Sequence, residues 1–475
     1  MSTPTALKSN TIGLLGAATL GMVFLSPAMT LYGLFGPIFL ACGKAAPLSF
    51  VFALLVTLPT AFSYAVLSRD HPTSGSTADW AAQATGPRIG AWAGWLVFLY
   101  YFTNFIIQVV AAGLFFNELL LALGITLPAG AGFTAGVLLG CAWPAWMVYR
   151  GLSMSARGAL VFLLIEIATV AALCVTVVWL APARGTPVAL DGFSLTSALQ
   201  NSSGMFRALV FAMLGFCGFD VVSTLAEETR TARKLIPQAT ILALLLYAVL
   251  IVAGMWALTL GGDAAQLKAV AESGRMPINE VAQNVWGRGS IAITLTALTA
   301  TLALIIATSV GASRVLFSKA RRAAAPAVFA RLHPHFQVPH AALNFIFLAG
   351  LAGTFAVFAC IGAYNAYVWW ATTSTFFAMM TYLFGNLACI LLNRHRLKTP
   401  GGLLLFGLIP TLGIAADLYI LVQSFFIELW AADWAAGKSV VVFDVACAAL
   451  ARVLALRSGK TPPDARARVF GEITN

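Results

Sequence analysis

Two polar interruptions of apolar segments are the residues of this chain best suited to bind a small solute. One is FLSPAMTLYG (Phe24–Gly33) and the other is GFCGFD (Gly215–Asp220). Proline removes a backbone donor and glycine weakens a helix, so each stretch predicts a break with unpaired N–H and C=O groups. In apolar surroundings such groups must face a cavity or a ligand. The N-terminus of a half-helix attracts a carboxylate, and a C-terminus attracts an amine or a cation.

Isolated acids within apolar stretches are a second source of chemistry. Glu166 lies in VFLLIEIATV, and Asp220 ends the second interruption. An ionisable group at mid-membrane costs roughly 3 kcal/mol on insertion scales, which predicts a functional role. We expect Glu166 to take up and release a proton and Asp220 to act as a coupling or gating acid. The alternative for each is a hydrogen bond to a neighbouring helix. Asp417 and Asp444 receive no predicted role.

The composition identifies the surroundings of these residues as a membrane. The 475 residues are 60% hydrophobic and 9% charged, whereas a soluble domain is about 25% charged. Apolar runs reach the roughly 20 residues of a spanning helix, without the alternation of barrel strands. The pattern predicts an all-α integral membrane protein. We predict twelve spans: 12–41, 46–68, 91–122, 129–149, 157–181, 204–226, 235–261, 288–316, 340–362, 365–393, 402–425 and 438–456.

The basic residues predict the orientation. With the N-terminus inside, most of the 28 lysines and arginines fall in inner loops, as the positive-inside rule requires. The formal charge of +11 is therefore a topology signal and not a sign of a nucleic-acid partner. We predict cytoplasmic tails at 1–11 and 457–475 around a transporter domain at 12–456, in the inner (cell) membrane.

Motifs for other functions are missing from the sequence. The seven cysteines form no CxxC pair, so free buried thiols are expected. The HPHFQVPH loop (His333–His340) favours a solvated loop over a metal site. Phosphate-cradling, nucleophile-elbow and zinc-protease motifs do not occur. We therefore predict neither an enzyme nor a cofactor. A receptor would need a signalling domain, and a channel fits paired breaks less well than alternating access does.

The two breaks fall in the first and sixth spans, an offset of five. Interrupted spans at matching positions in two halves are typical of inverted-repeat transporters. In the third span, three of the four polar residues Tyr100, Tyr101, Asn104 and Gln108 share a helical face. They predict a polar stripe that faces a cavity or joins helices. Thr308 and Ser309 in the eighth span can bind Na⁺, although such hydroxyls more often bond their own helix.

Four segments carry a family resemblance: FLSPAMTLYG, HPTSGSTADWAAQATGPRIGAWAGW (His71–Trp95), GFDVVSTLAEETRTARKLIPQA (Gly218–Ala239) and ASRVLFSKARRAAAPAVFARLHPHFQVP (Ala312–Pro339). Together they resemble the amino acid–polyamine–organocation (APC) superfamily of permeases, and most of all bacterial amino acid and putrescine-importer-like permeases. The chain departs from the family pattern at Thr77, where tyrosine is common, and in a first break without Gly-Ser-Gly.

This resemblance implies two inverted five-helix repeats plus two further helices, and secondary active transport of a small amine-bearing solute. It implies an amino acid permease coupled to H⁺, and it leaves open a putrescine importer or an amino acid exchanger. Some members have a titrating lysine where Glu166 stands. Phe216 or Phe219 is expected as an aromatic lid or as core packing. The expected substrate-binding residues are Ser26, Pro27, Ala28, Met29, Thr30, Tyr101, Asn104, Gly215, Phe216, Cys217, Gly218 and Phe219.

Overall fold

The computed structural model describes residues 13–73, 75–151, 156–224, 229, 231–321 and 324–458. The predicted tail 1–11 and nearly all of the predicted tail 457–475 lie outside these residues. The described part is helical and contains no β-strand. The first ten α-helices, in chain order, are α1 (Leu14–Leu25), α2 (Pro27–Cys42), α3 (Ala46–Asp70), α4 (Ser76–Thr85), α5 (Pro87–Ala122), α6 (Ala131–Tyr149), α7 (Ala156–Leu180), α8 (Leu195–Gln200), α9 (Ser202–Phe216) and α10 (Val221–Thr224).

The remaining helices complete the second half of the chain. They are α11 (Ala232–Thr259), α12 (Ala264–Glu272), α13 (Pro277–Trp286), α14 (Ile291–Arg321), α15 (His340–Ile361), α16 (Ala363–Leu392), α17 (Pro400–Gly402), α18 (Ile409–Ile420) and α19 (Ser439–Ser458). Wider π-helical turns at Leu403–Leu408 and Leu421–Leu429 continue α18 at both ends, and a third at Trp434–Lys438 precedes α19.

Eleven helical segments of the described residues are long and apolar enough to cross a membrane. The first, Leu14–Asp70, has 57 residues. At about 1.5 Å per residue it is far longer than the roughly 30 Å bilayer core. It therefore crosses twice, as α1 with α2 and then as α3 after the turn Gly43–Ala45. The prediction of an all-α membrane protein is confirmed, and this division gives twelve crossings.

Both predicted breaks are present in the helices. Ser26 separates α1 from α2 with φ 40° and ψ 86°, in the left-handed region. The second break lies between α9 and α10, where Gly218 has φ +120°. That value is close to glycine-only. Pro27 stands at the first position of α2, where its missing N–H costs no helical bond.

The broken spans lie side by side in the centre of the bundle. Helix α2 packs against α9, and α1 packs against α7, α10 and α11. Helix α5 packs against α14 and α16. The eighth span is preceded by two short helices, α12 and α13, which pack against α2. The sequence analysis did not predict α12 and α13, because their short polar helices resemble loop sequence.

Candidate functional site

A narrow cavity lies where the two breaks meet. Its walls are the end of α1, the start of α2, the end of α9, and parts of α5 and α14. The volume of the cavity is about 30 Å³, which is enough for about two water molecules. A larger solute therefore requires the walls to move. The cavity is lined by Phe24, Leu25, Met29, Thr30, Leu34, Asn104, Ile107, Gln108, Leu214, Gly215, Cys217 and Leu304.

The predicted binding residues divide into two groups. Met29, Thr30, Asn104, Gly215 and Cys217 line the cavity. The other predicted residues do not line it. Among them, Ser26, Pro27 and Ala28 form the break itself, and Gly218 follows the end of α9. Tyr101 lies against Tyr100, with ring centroids 5.2 Å apart.

The two candidate lid residues pack in the helix bundle. The ring of Phe216 lies 5.9 Å from Phe50 and 5.4 Å from Tyr247, measured between centroids. The ring of Phe219 lies 5.5 Å from Tyr64 and 5.1 Å from Tyr382. Both phenylalanines are at most 1% exposed. In this conformation they therefore hold the sixth span against its neighbours.

Glu166 on α7 contacts the first break. Its Oε1 atom accepts hydrogen bonds from the Ser26 hydroxyl at 2.9 Å and from the Ala28 N–H at 2.7 Å. Glu166 is 5% exposed. The side chain of Ser26 makes no cap bond within α2, so the carboxyl group of Glu166 caps that helix from another span. A carboxylate at a helix N-terminus is favoured by the unpaired N–H groups and the helix dipole.

The first turn of α2 has few backbone donors left for a bound anion. Pro27 has no N–H, and the Ala28 N–H donates to Glu166. The Thr30 N–H donates to the Ser26 carbonyl at 3.0 Å. A solute carboxylate that approaches this turn must therefore compete with the carboxyl group of Glu166.

Close approach of the broken spans depends on two glycines. A Cβ atom on Gly215 would lie 2.8 Å from a ring carbon of Phe50 and 3.0 Å from the hydroxyl of Tyr247. A Cβ atom on Gly218 would lie 3.2 Å from the carbonyl oxygen of Phe24. A side chain at either position would therefore force the sixth span away from its present neighbours, which at Gly218 include the first break. The tyrosine hydroxyl donates to Thr30 Oγ1 at 2.8 Å, which fixes one cavity hydroxyl.

The polar residues of α5 contact both the cavity and Asp220. Asn104 and Gln108 line the cavity, and the Gln108 amide donates to Asn104 Oδ1 at 3.5 Å. The Gln108 Oε1 atom is buried without a protein partner. One turn earlier, Tyr100 reaches Asp220 instead, with 3.5 Å between its hydroxyl and Oδ1. The stripe thus supplies polar atoms to the cavity and to the second break.

Asp220 lies beside the second break but does not line the cavity. Its Oδ1 atom accepts from the Tyr382 hydroxyl on α16 at 3.3 Å and more distantly from Tyr100. The residue is 5% exposed. The Asp220 carbonyl accepts from the Ser223 hydroxyl at 2.6 Å, at the start of α10. This acid therefore joins the sixth span to the third and tenth.

Groups suited to a metal ion are few in the described residues. They include no cluster of three or more histidine, cysteine, aspartate and glutamate side chains. The Thr308 hydroxyl donates to the Leu304 carbonyl at 2.7 Å, and the Ser309 hydroxyl donates to Ile306 at 2.9 Å. Both hydroxyls thus bond their own helix.

Sequence reasoning missed the apolar lining. Phe24 and Leu25 adjoin the first break, so their position next to Ser26 was a usable signal. Leu304 on α14 and Ile107 on α5 carry no such signal. Their place in the wall depends on the rotation of each helix, which an apolar sequence does not encode locally.

The comparison with known proteins gives a family match over nearly the whole chain. A sequence model of the family described as "Amino acid permease" matches residues 18–456. The branched-chain amino acid permease BcaP of Bacillus subtilis (strain 168) is 28% identical over 64% of this chain and 65% of its own length. The low-affinity putrescine importer PlaP of Escherichia coli (strain K12) is 26% identical over 72% of this chain and 73% of its own. A methylthioribose transporter of Bacillus subtilis is 28% identical over 66% and 68%.

Solved structures of similar fold include the manganese transporter of Eremococcus coleocola bound to an aromatic bis-isothiourea compound. It superimposes with a TM-score of 0.58 and 13% identity, covering 96% of this chain and 98% of that chain. This likeness concerns the fold alone.

Proposed function

The chain belongs to the amino acid permease family, and on that premise we propose that it takes up an amino acid by H⁺-coupled secondary active transport. Family membership makes it a transporter and not an enzyme. Relatives named for branched-chain amino acids and for putrescine support an amine-bearing solute. The narrow cavity between the two broken helices supports this function most directly, because the ends of both broken helices converge there.

The cavity offers suitable partners for an ammonium group. The C-terminal ends of α1 and α9 reach its wall at Leu25 and Leu214. Carbonyl groups at a helix C-terminus carry partial negative charge, which favours a cation. The side-chain oxygens of Asn104 and Thr30 add acceptors. We expect the amine of the solute to bind between these two helix ends.

The position of Glu166 supplies a mechanism for coupling. An ionised Glu166 and an ionised solute carboxylate would place two like charges at the first turn of α2, and like charges disfavour each other. A proton on Glu166 removes this repulsion and weakens its hold on the Ala28 N–H, at 2.7 Å. Solute and proton then favour each other's binding, and such reciprocal coupling is what symport requires.

A second candidate is import of a diamine. A diamine lacks a carboxylate, so it needs no donors from the first turn of α2, where Glu166 already bonds Ala28. Glu166 and Asp220 would then offer negative charge at two breaks. The putrescine importer among the relatives agrees with this alternative.

Thermal unfolding of the purified protein with matched ligand pairs distinguishes amino acid transport from diamine import. Leucine is compared with 3-methylbutylamine, and ornithine with putrescine, because each pair differs only by the carboxylate. A ligand that binds the native state at 100 times its Kd stabilises by about 2.7 kcal/mol. Stabilisation by the amino acids alone supports the first candidate, and by the amines alone the second. No stabilisation by any amine-bearing compound in a broad panel would contradict both.

A further inference from the structure

A second polar cluster is buried one turn of α16 from Tyr382, the residue whose hydroxyl donates to Asp220. Asp417 on α18, Asn386 on α16 and Thr60 on α3 are each 0% exposed. The Asn386 Nδ2 atom donates to Thr60 Oγ1 at 2.8 Å and to Asp417 Oδ2 at 3.3 Å. The Thr60 hydroxyl donates to the same Oδ2 atom at 3.3 Å. Three helices therefore meet at one carboxyl oxygen.

The other carboxyl oxygen has no such partner. Asp417 Oδ1 and Asn386 Oδ1 are buried, and neither has a hydrogen-bond partner in the described part of the chain. Both orphan atoms are acceptors, so each needs a hydrogen or a cation. An unpartnered buried polar atom costs roughly 1–3 kcal/mol, and an uncompensated charge costs more. A proton on Oδ1 removes the charge and turns one orphan acceptor into a donor.

No described neighbour supplies a compensating positive charge. The helices packed against α18 carry two cations, Arg69 near the end of α3 and Arg207 on α9, and both are exposed; Arg69 pairs with Asp70 at 2.9 Å. The remaining titratable side chains on the packed elements are Tyr64 of α3, Tyr364, Tyr367, Tyr382 and Cys389 of α16, Cys217 just after α9, and the acid Glu428 in the π-helical turn after α18. Tyrosine and cysteine carry no positive charge in either protonation state. The ion pairs found among the described residues do not include Asp417.

The cluster favours a proton over a metal cation. The Asn386 NH₂ group points at both Thr60 Oγ1 and Asp417 Oδ2, so donor hydrogens already occupy the centre of the cluster. Gly413 on α18 leaves room for this amide, because a Cβ atom there would lie 2.9 Å from Nδ2. The close fit holds the amide in place.

The cluster is linked to the second break by two helices. Asn386 follows Tyr382 by one turn of α16, and Thr60 precedes Tyr64 by one turn of α3. The two tyrosine rings lie 5.8 Å apart. Tyr382 also donates to Asp220. A change in the hydrogen bond between Asp417 and Asn386 can therefore shift α16, and with it the Tyr382 hydroxyl beside the second break.

We propose that Asp417, Asn386 and Thr60 form a second proton-binding site, and that its proton is exchanged during the cycle as α16 moves relative to α18. This site is separate from Glu166 and rests on the proposed transport function. Loss of the proton leaves an uncompensated carboxylate between three helices. That loss favours a conformation in which water reaches Asp417.

Infrared spectroscopy of the purified protein tests the proton without any transport. Asp417→Asn should remove one carbonyl-stretching band of a protonated carboxylic acid, and Asp263→Asn should remove none, because that residue caps α12 in a loop. In the wild type the band should disappear reversibly as pH rises over the range where the protein stays folded. Thr60→Val should shift the band, because one donor to Oδ2 is lost. A spectrum unchanged by Asp417→Asn, or a band that never titrates, would overturn the proposal.

Uptake into proteoliposomes tests the exchange. Asp417→Asn should fold and still exchange labelled for unlabelled solute, while the pH profile of its uptake becomes flatter than that of the wild type. A wild-type pH profile in Asp417→Asn would make Asp417 a structural neutral acid and would overturn the proposal. If the wild type takes up no amine-bearing solute, the transport function fails, whereas the infrared band still decides whether Asp417 binds and releases a proton.

Discussion

The carboxyl group of Glu166 accepts a hydrogen bond from the Ala28 N–H at 2.7 Å, across a sequence separation of 138 residues. The same oxygen accepts from Ser26 at 2.9 Å. The fifth span therefore holds the first turn of α2. This contact ties an ionisable group to the helix end at which a solute carboxylate would bind, and it is the basis of the coupling mechanism proposed above.

Glu166→Gln tests this mechanism. The amide oxygen can still accept from Ala28, so the protein should fold and exchange labelled solute across the membrane. The side chain no longer releases a proton, so accumulation driven by a pH gradient should vanish and the pH dependence of uptake should flatten. Glu272→Gln is the matched control, since that side chain is 60% exposed on α12. Wild-type accumulation by Glu166→Gln would make Glu166 structural.

Gly218→Leu should abolish uptake while the protein still inserts. Its φ of +120° is strained for any side chain, and a Cβ atom would lie 3.2 Å from the Phe24 carbonyl oxygen. The strain costs about 1–3 kcal/mol. Gly362→Leu is a matched control, because Gly362 has φ +81° with nothing within 4 Å of its Cβ position. An equal loss of uptake in both variants would show that backbone strain alone, and not the space beside the first break, is responsible, and normal uptake by Gly218→Leu would show that this position is not part of the site.

Asn104→Ala should weaken solute binding. The side chain lines the cavity, and loss of a hydrogen bond to a charged group costs roughly 1.5–3 kcal/mol, a tenfold or larger rise in Kd. Thr103→Val is the control, because the Thr103 hydroxyl bonds its own helix at Leu99. Thermal-shift titration measures both. An unchanged Kd in Asn104→Ala would place the solute elsewhere.

Tyr382→Phe should destabilise the contact between α16 and the second break more than Tyr100→Phe does. The two hydroxyls lie 3.3 and 3.5 Å from Asp220 Oδ1. A net loss of about 0.5–1.5 kcal/mol is expected for a hydrogen bond. A double-mutant cycle with Asp220→Asn, followed by thermal unfolding, measures the coupling. Fully additive effects would show that Tyr382 stabilises the bundle without acting through Asp220.

Both termini are expected in the cytoplasm. Cysteines placed at Ser2 and Asn475 should resist a membrane-impermeant thiol reagent added to intact cells. Ser273→Cys, exposed after α12 on the opposite side, should react. The background needs Cys360→Ser, because Cys360 is exposed. Efficient reaction at Ser2 or Asn475 would reverse the orientation.

The sequence by itself determined the membrane class, the number of crossings and the two breaks. Hydropathy over about 20 residues is a local property, and so is the effect of Pro27 or Gly218 on the backbone. The polar stripe with Asn104 and Gln108 could also be predicted from the sequence, because its spacing follows the helical repeat.

Only the tertiary structure decided the partners of the buried groups. Glu166 was predictable as a buried acid, but its contact with Ser26 depends on how α7 packs against α1. The sequence did not decide whether Phe216 and Phe219 form a lid or pack in the core. In the structure both pack against neighbouring rings. The sequence predicted no role for Asp417, and only the packing of α3, α16 and α18 places Thr60 and Asn386 against its carboxyl group. Partners of this kind depend on the rotation and contacts of whole helices, which are set by long-range packing and not by the residues beside each group in sequence.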